Sequence, residues 1–207
     1  MPQTTSSWIR WIRPLLAVVG GASISWIAFV AHREVPGLDQ FDLAVHETGH
    51  LVAAFMPRLV MFLAGSAAQV LFPVAMALYF GVRRRDAAAG GFCLAWAGTS
   101  AHDVAVYAGD AVRQALPLIG GGEHDWAYIL GPNGFDMLDR TAGVARSIEV
   151  AGIIMAFAGV ALAGHAALAG IRLRKQQPVP EPVRSGAGPD LWAAAAALPF
   201  KHEREVA

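Results

Sequence analysis

The chain has 207 residues with 16 basic and 16 acidic side chains, so its formal charge is zero and no basic surface argues for a nucleic-acid partner. Hydrophobic residues make up 55% and come in long blocks, which is high for a soluble domain and points to an integral membrane protein. The single cysteine, Cys93, excludes an intrachain disulfide and a cysteine-based zinc site; in its apolar run it reads as a small buried residue.

Residues 1–13 carry Trp8, Arg10, Trp11 and Arg13, which suits the cytoplasmic face of a membrane interface. Residues 14–31 form the first apolar run. It is short for a span and long for a signal-peptide core, and Phe29 spoils a small-residue cleavage site before Ala31, so an uncleaved anchor is expected. Residues 32–40 form a polar connector broken by Pro36-Gly37.

The next run contains His46-Glu47-Thr48-Gly49-His50, an H-E-x-x-H motif. On a helix His46 and His50 project from one face, a spacing that lets two imidazoles hold one metal ion, with Glu47 beside them as a base. Leu51, Val52, Ala53, Ala54 and Phe55 follow, so an ordinary solvated helix does not fit. Ionisable groups against such a background call for a cavity, a metal or a partner. Asp39 or Asp42 offers an N-cap, and Pro57 disfavours helical geometry at Met56, so the helix should end near Phe55. At about 15 residues, roughly 22 Å, it is too short to span and is expected to be tilted or half-inserted.

Residues 59–82 form a clear span, stopped by Arg83-Arg84-Arg85. Residues 87–111 form another, less apolar. A Gly-rich loop with Pro117 and Pro132 covers 112–146. Residues 148–171 form the last span, whose Gly152, Gly159, Gly164 and Gly170 permit close helix packing before Arg172, Arg174 and Lys175 close it. The tail begins Pro-rich and reads as a linker, with room for a short helix over 191–200 and the remainder disordered.

The expected fold is therefore all-α: a polytopic membrane helix bundle of about four transmembrane spans plus a short half-inserted helix carrying H-E-x-x-H. Its parts are a cytoplasmic N-terminus (1–13), a membrane domain (14–175) and a cytoplasmic tail (176–207). The positive-inside rule places Arg10, Arg13, the triple Arg and the last basic cluster in the cytoplasm. The motif helix and the 112–146 loop then meet on the outer side. A five-span arrangement puts Arg10 and Arg13 outside and ranks second.

Zinc needs a third protein ligand and an open fourth position. Thr99, Asp103, Tyr107 and Asp110 make one polar stripe on a helix, which serves interhelical hydrogen bonding equally well. Asp110 lies at the outer end, near the depth of the motif. His102, beside the stripe, suits packing or support of a ligand. In the loop, Gly120-Gly121-Gly122-Glu123-His124-Asp125-Trp126 stands out. His124 is a natural zinc ligand, and Asp125 suits a ligand or a carboxylate that orients a histidine; an ordinary exposed loop is the competing reading. His165, alone in the last span, reads as a packing residue.

Over roughly residues 40–140 these features resemble the site-2 protease family of intramembrane zinc metallopeptidases, especially its small bacterial members. The most specific part is His46-Glu47-Thr48-Gly49-His50, including the glycine before the second histidine. Ala64-Gly65-Ser66-Ala67-Ala68-Gln69 looks like the family's A-G-P-x-x-N segment, with Ser66 for Pro and Gln69 for Asn. Pro132-Asn133 and Leu138-Asp139-Arg140 echo the stretch that ends Leu-Asp-Gly, with Arg140 for Gly.

The resemblance implies Zn2+ on His46, His50 and Asp139, and His124 and Asp110 stay open as alternative third ligands. It implies Glu47 as catalytic base, Gln69 as a contact to substrate or oxyanion, and cleavage of peptide bonds in or near transmembrane segments in a bacterial inner membrane, among lipid. Two other readings stand beside it. One is a non-catalytic integral membrane protein with a structural or sensory metal, marked by a closed site such as His46, His50, His124 and Asp110 together. The other is a metal-free membrane protein whose histidines pack or relay protons.

Overall fold

The computed structural model describes residues 9–118 and 122–176; the expected tail beyond Gln176 and residues 1–8 lie outside them. The described residues are helical and contain no strand. Helix α1 runs Ile9–Phe29, α2 Leu38–Val52 and α3 Arg58–Leu78, the last continued by one π-helical turn, Tyr79–Arg83. Then come α4 Ala87–Gly109, the short α5 Asp125–Leu130, a 3-10 turn Leu138–Arg140 and α6 Thr141–Gln176.

Among the described residues three segments are long and apolar enough to cross a membrane: Ile12–Phe29, Arg58–Arg83 and Leu138–Arg172. The fourth expected span, α4, has the length but not the hydropathy. Its position explains this. Small residues from Ala88 to Ala108 are buried on most sides of α4, and its Thr99 and Ser100 are buried with them. A helix sheathed by protein has little surface to match to lipid, so it needs small side chains more than apolar ones.

Helices α1 and α3 pack on α4, and α6 meets it along a seam of small residues. A Cβ on Gly98 would stand 2.6 Å from the Gly152 carbonyl oxygen, and one on Gly91 2.7 Å from the Ala163 nitrogen. Here the glycines are required by the approach of two backbones. Gly98 faces Gly152 while Gly91 faces Gly159, so α6 runs antiparallel to α4. Arg13 on α1 pairs at 2.8 Å with Asp86, which caps α4 by accepting from Ala89 N–H. The end of α1 and the starts of α3 and α6 therefore gather at the C-terminal end of α4, where α2 and α5 sit.

Helices α2 and α6 have boundaries that differ from expectation. Helix α2 starts after Gly37, whose φ of 80° turns the chain and whose N–H is held by the Gln40 side chain. Neither aspartate caps it. Asp39 accepts from Val35 N–H at 2.8 Å. Asp42 is buried and accepts from Trp96 Nε1–H at 2.9 Å and Ser100 Oγ–H at 2.6 Å, pinning the motif helix to α4. The helix ends at Val52, one turn before Phe55. Helix α6 starts at Thr141 rather than 148, because Thr141 Oγ–H donates to the Leu138 carbonyl and joins the 3-10 turn to the helix.

Candidate metal centre

The inward face of α2 reads Asp42, His46, Gly49 and His50. Asp42 anchors that face on α4, and Gly49 lets it press on α3. A Cβ on Gly49 would collide with the Ala64 carbonyl and stand 2.9 Å from the Ala68 methyl. The glycine before the second histidine is thus a packing requirement between α2 and the Ala64-to-Gln69 segment of α3.

That segment also holds the first imidazole. His46 Nδ1–H donates to Gln69 Oε1 at 3.2 Å, and His50 Nδ1–H donates to the Met61 carbonyl at 2.8 Å. A backbone carbonyl only accepts, so the His50 proton belongs on Nδ1. With both Nδ1 atoms donating, both Nε2 atoms present lone pairs. They lie 2.9 and 3.0 Å from the same oxygen, Asp125 Oδ2. The two imidazole nitrogens and the carboxylate oxygen all lie within 4.8 Å of one another.

Three electron pairs converging in a nearly dry place repel unless a cation stands among them, either protons on the imidazoles or a metal. Space exists for one. Gly65 is buried beneath the pair, and a Cβ there would come within 2.5 Å of His50 Nε2 and 2.7 Å of His46 Nε2. His46, His50 and Asp125 could hold a metal ion, and their donor set of two imidazoles and one carboxylate suits zinc chemistry.

Asp125 opens α5, a six-residue helix. Trp126, Ile129 and Leu130 bury its other face against Phe62, Val104 and Ala108, and Trp126 Nε1–H donates to Ser66 Oγ at 3.1 Å. The Asp125 backbone N–H donates to the Tyr107 hydroxyl at 3.2 Å. The candidate third ligand is thus fixed to both α3 and α4.

Among the residues expected from sequence, His46 and His50 stand together. Glu47 is exposed beside them and lines a cavity of about 750 Å³ that also reaches His50, Gln69, Tyr107 and Asp125. Asp139 is not brought there: its side chain is 79% exposed on the 3-10 turn beside Arg140. Asp110 and His124 face each other, at 3.5 Å, and not the two histidines. Gln69, expected at the substrate, commits its oxygen to His46. His102 lines the same cavity, pairs with Glu149 at 2.7 Å and packs edge-on to Phe29. His165 is exposed on α6. Asp125 was legible as one of two adjacent ligand types. The helical spacing of Trp126, Ile129 and Leu130 after it is the signal that fixes it at the head of a buried helix.

Burial pushes the Asp125 carboxyl up, but its bonds to His46 and His50 outweigh that and hold it below the usual carboxylate range. The Asp125 contact raises His50 above the ordinary imidazole value of 6.5, with burial opposing. A raised histidine pKa means that the His50–Asp125 pair stabilises the metal-free fold below pH 6.5 and that this contribution is lost as pH rises through the folded value. A metal held here would have to displace that proton. Its affinity is expected to be full at alkaline pH and to start falling while the pH is still above 6.5. Chelator competition across neutrality checks this, and a flat affinity profile would remove His50 from the ligand set.

Comparison with protein-family models, characterised proteins and solved structures finds no match for the chain.

Proposed function

We propose that the chain is a membrane-embedded zinc metalloendopeptidase of the site-2 protease type, cleaving peptide bonds in or beside membrane segments. The observation that carries this reading is the convergence of His46 Nε2, His50 Nε2 and Asp125 Oδ2 next to an exposed glutamate in an open cavity. A structural metal would draw a closed four-ligand shell. Among the described residues three ligands group, while His124 and Asp110 pair with each other.

His46, His50 and Asp125 would hold the zinc ion, which when bound would supply a Lewis acid for the scissile carbonyl and the attacking water. The chain does the rest. Glu47 takes a proton from the attacking water and returns it to the leaving amine. Gln69 and the Met61 carbonyl fix the two imidazole tautomers, and so the direction of their lone pairs. Gly65 and Gln69 lie about 10–16 Å from the start of α3, a depth that favours a substrate already in the membrane or its interface. The basic residues Arg13 and Arg83 to Arg85 sit at the opposite end of the bundle from the site. By the positive-inside rule this favours an extracytoplasmic opening, in a bacterial inner membrane.

Metal stoichiometry on the detergent-purified chain tests the centre. Wild type and Asp139→Ala are expected to hold one zinc, whereas His46→Ala and Asp125→Ala hold none. Zinc lost with Asp139 and kept without Asp125 would overturn this ligand set.

A further inference from the structure

His124 and Asp110, two residues that sequence alone offers as zinc ligands, are placed one step behind the ligand. His124 is the residue before Asp125 and the N-cap of α5. Its Nδ1 accepts from Ala127 N–H at 3.3 Å, and its carbonyl accepts from Tyr128 N–H at 3.0 Å. With Nδ1 accepting, the ring proton sits on Nε2. That atom is fully buried and makes no regular hydrogen bond among the described residues. The carboxylate it faces is Asp110, with Oδ2 at 3.5 Å.

Asp110 is itself fixed. It ends α4, and its Oδ2 accepts from Leu116 N–H at 2.8 Å. Tyr107, one turn earlier on α4, stacks on the His124 ring with centroids 4.3 Å apart and takes the Asp125 N–H on its hydroxyl. A helix of six residues has too few internal bonds to hold its own shape, so its cap and its packing decide where it begins. Where it begins decides where Asp125 points.

We infer that His124, braced by Asp110, is a positioning residue that sets the α5 N-terminus and thereby delivers the Asp125 carboxylate to His46 and His50. This rests on the metal centre proposed above. It also explains the use of histidine at a cap position. The imidazole caps the helix start with one nitrogen and turns an N–H toward Asp110 on α4 with the other, whereas serine has a single atom for both tasks and aspartate has no N–H to offer a second carboxylate. An asparagine keeps the cap, since its side-chain oxygen accepts from Ala127 N–H. It also keeps an amide to turn toward Asp110.

Titration of the full-length purified chain with Co2+ tests this, because the visible absorption of bound Co2+ reports its ligand geometry. His124→Ala is expected to weaken Co2+ about 10- to 100-fold, the scale of losing a group that orients a ligand. The spectrum should shift toward a more solvated ion. Thermal unfolding of the metal-free protein should fall in His124→Ala, which loses the cap and a buried ring, and less in His124→Asn, which keeps the cap. His124→Asn should recover both affinity and spectrum. Wild-type affinity and spectrum in His124→Ala would overturn the clamp alone. So would equal losses of affinity in the Ala and Asn variants accompanied by equally lowered metal-free unfolding midpoints, which is the mark of general destabilisation. A wild-type chain that takes up no Co2+ would overturn the metal centre, and the clamp with it.

Discussion

Glu47→Gln is expected to keep one zinc per chain and to lose about 10²–10⁴-fold in peptide hydrolysis, the range for removing a general base. The side chain is exposed to the cavity and makes no hydrogen bond among the described residues, so an isosteric amide disturbs neither α2 nor the imidazoles. The amide cannot accept a proton from water at any working pH. Binding of substrate should survive, so the loss falls on kcat and leaves KM nearly unchanged. The assay is cleavage of a panel of single-span membrane segments in detergent, wild type beside Glu47→Gln. Equal cleavage by the two would end the proposed mechanism. No cleavage by a zinc-loaded wild type across the panel would favour the non-catalytic metal protein.

The parts of this arrangement that are local in sequence were legible there. His46 and His50 need only one helical turn to meet, so their spacing announces a shared face. The end of α3 and the start of α4 are marked by Arg83 to Asp86, because a charge run cannot continue in an apolar span. The candidate third ligand is a different matter. Asp125 lies far along the chain from both histidines. Which of His124 and Asp125 faces them depends on where a six-residue helix begins, and that is set by Tyr107 and Asp110 on another helix. Asp42 shows the same limit. Near a helix start an aspartate suggests a cap, but its two oxygens are taken by Trp96 and Ser100 on α4. The shortfall of α4 as an apolar span has the same origin. Hydropathy measures fitness for lipid, and α4 is surrounded by protein.

Gly65 separates the metal centre from the fold that carries it. Alanine at this position places a methyl group 2.5 Å from His50 Nε2 and 2.7 Å from His46 Nε2, in the space where an ion would sit. What it meets is the far end of two side chains. The imidazoles can swing away at the cost of Gln69 and Met61 hydrogen bonds, while the helices stay in place. Gly65→Ala is therefore expected to weaken zinc about 100-fold or more, beyond the scale of losing an orienting group. The unfolding of the metal-free protein should move little. Gly49→Ala gives the contrasting result. Its methyl meets the Ala64 backbone and the Ala68 methyl, so α2 and α3 must part, at about 1–3 kcal/mol for an overpacked contact. That variant is expected to lose stability and metal together. Zinc stoichiometry and thermal unfolding on the two variants read both quantities. If Gly65→Ala bound zinc as tightly as wild type, the ion could not lie between the two Nε2 atoms, and the ligand set would have to be sought elsewhere on the cavity wall.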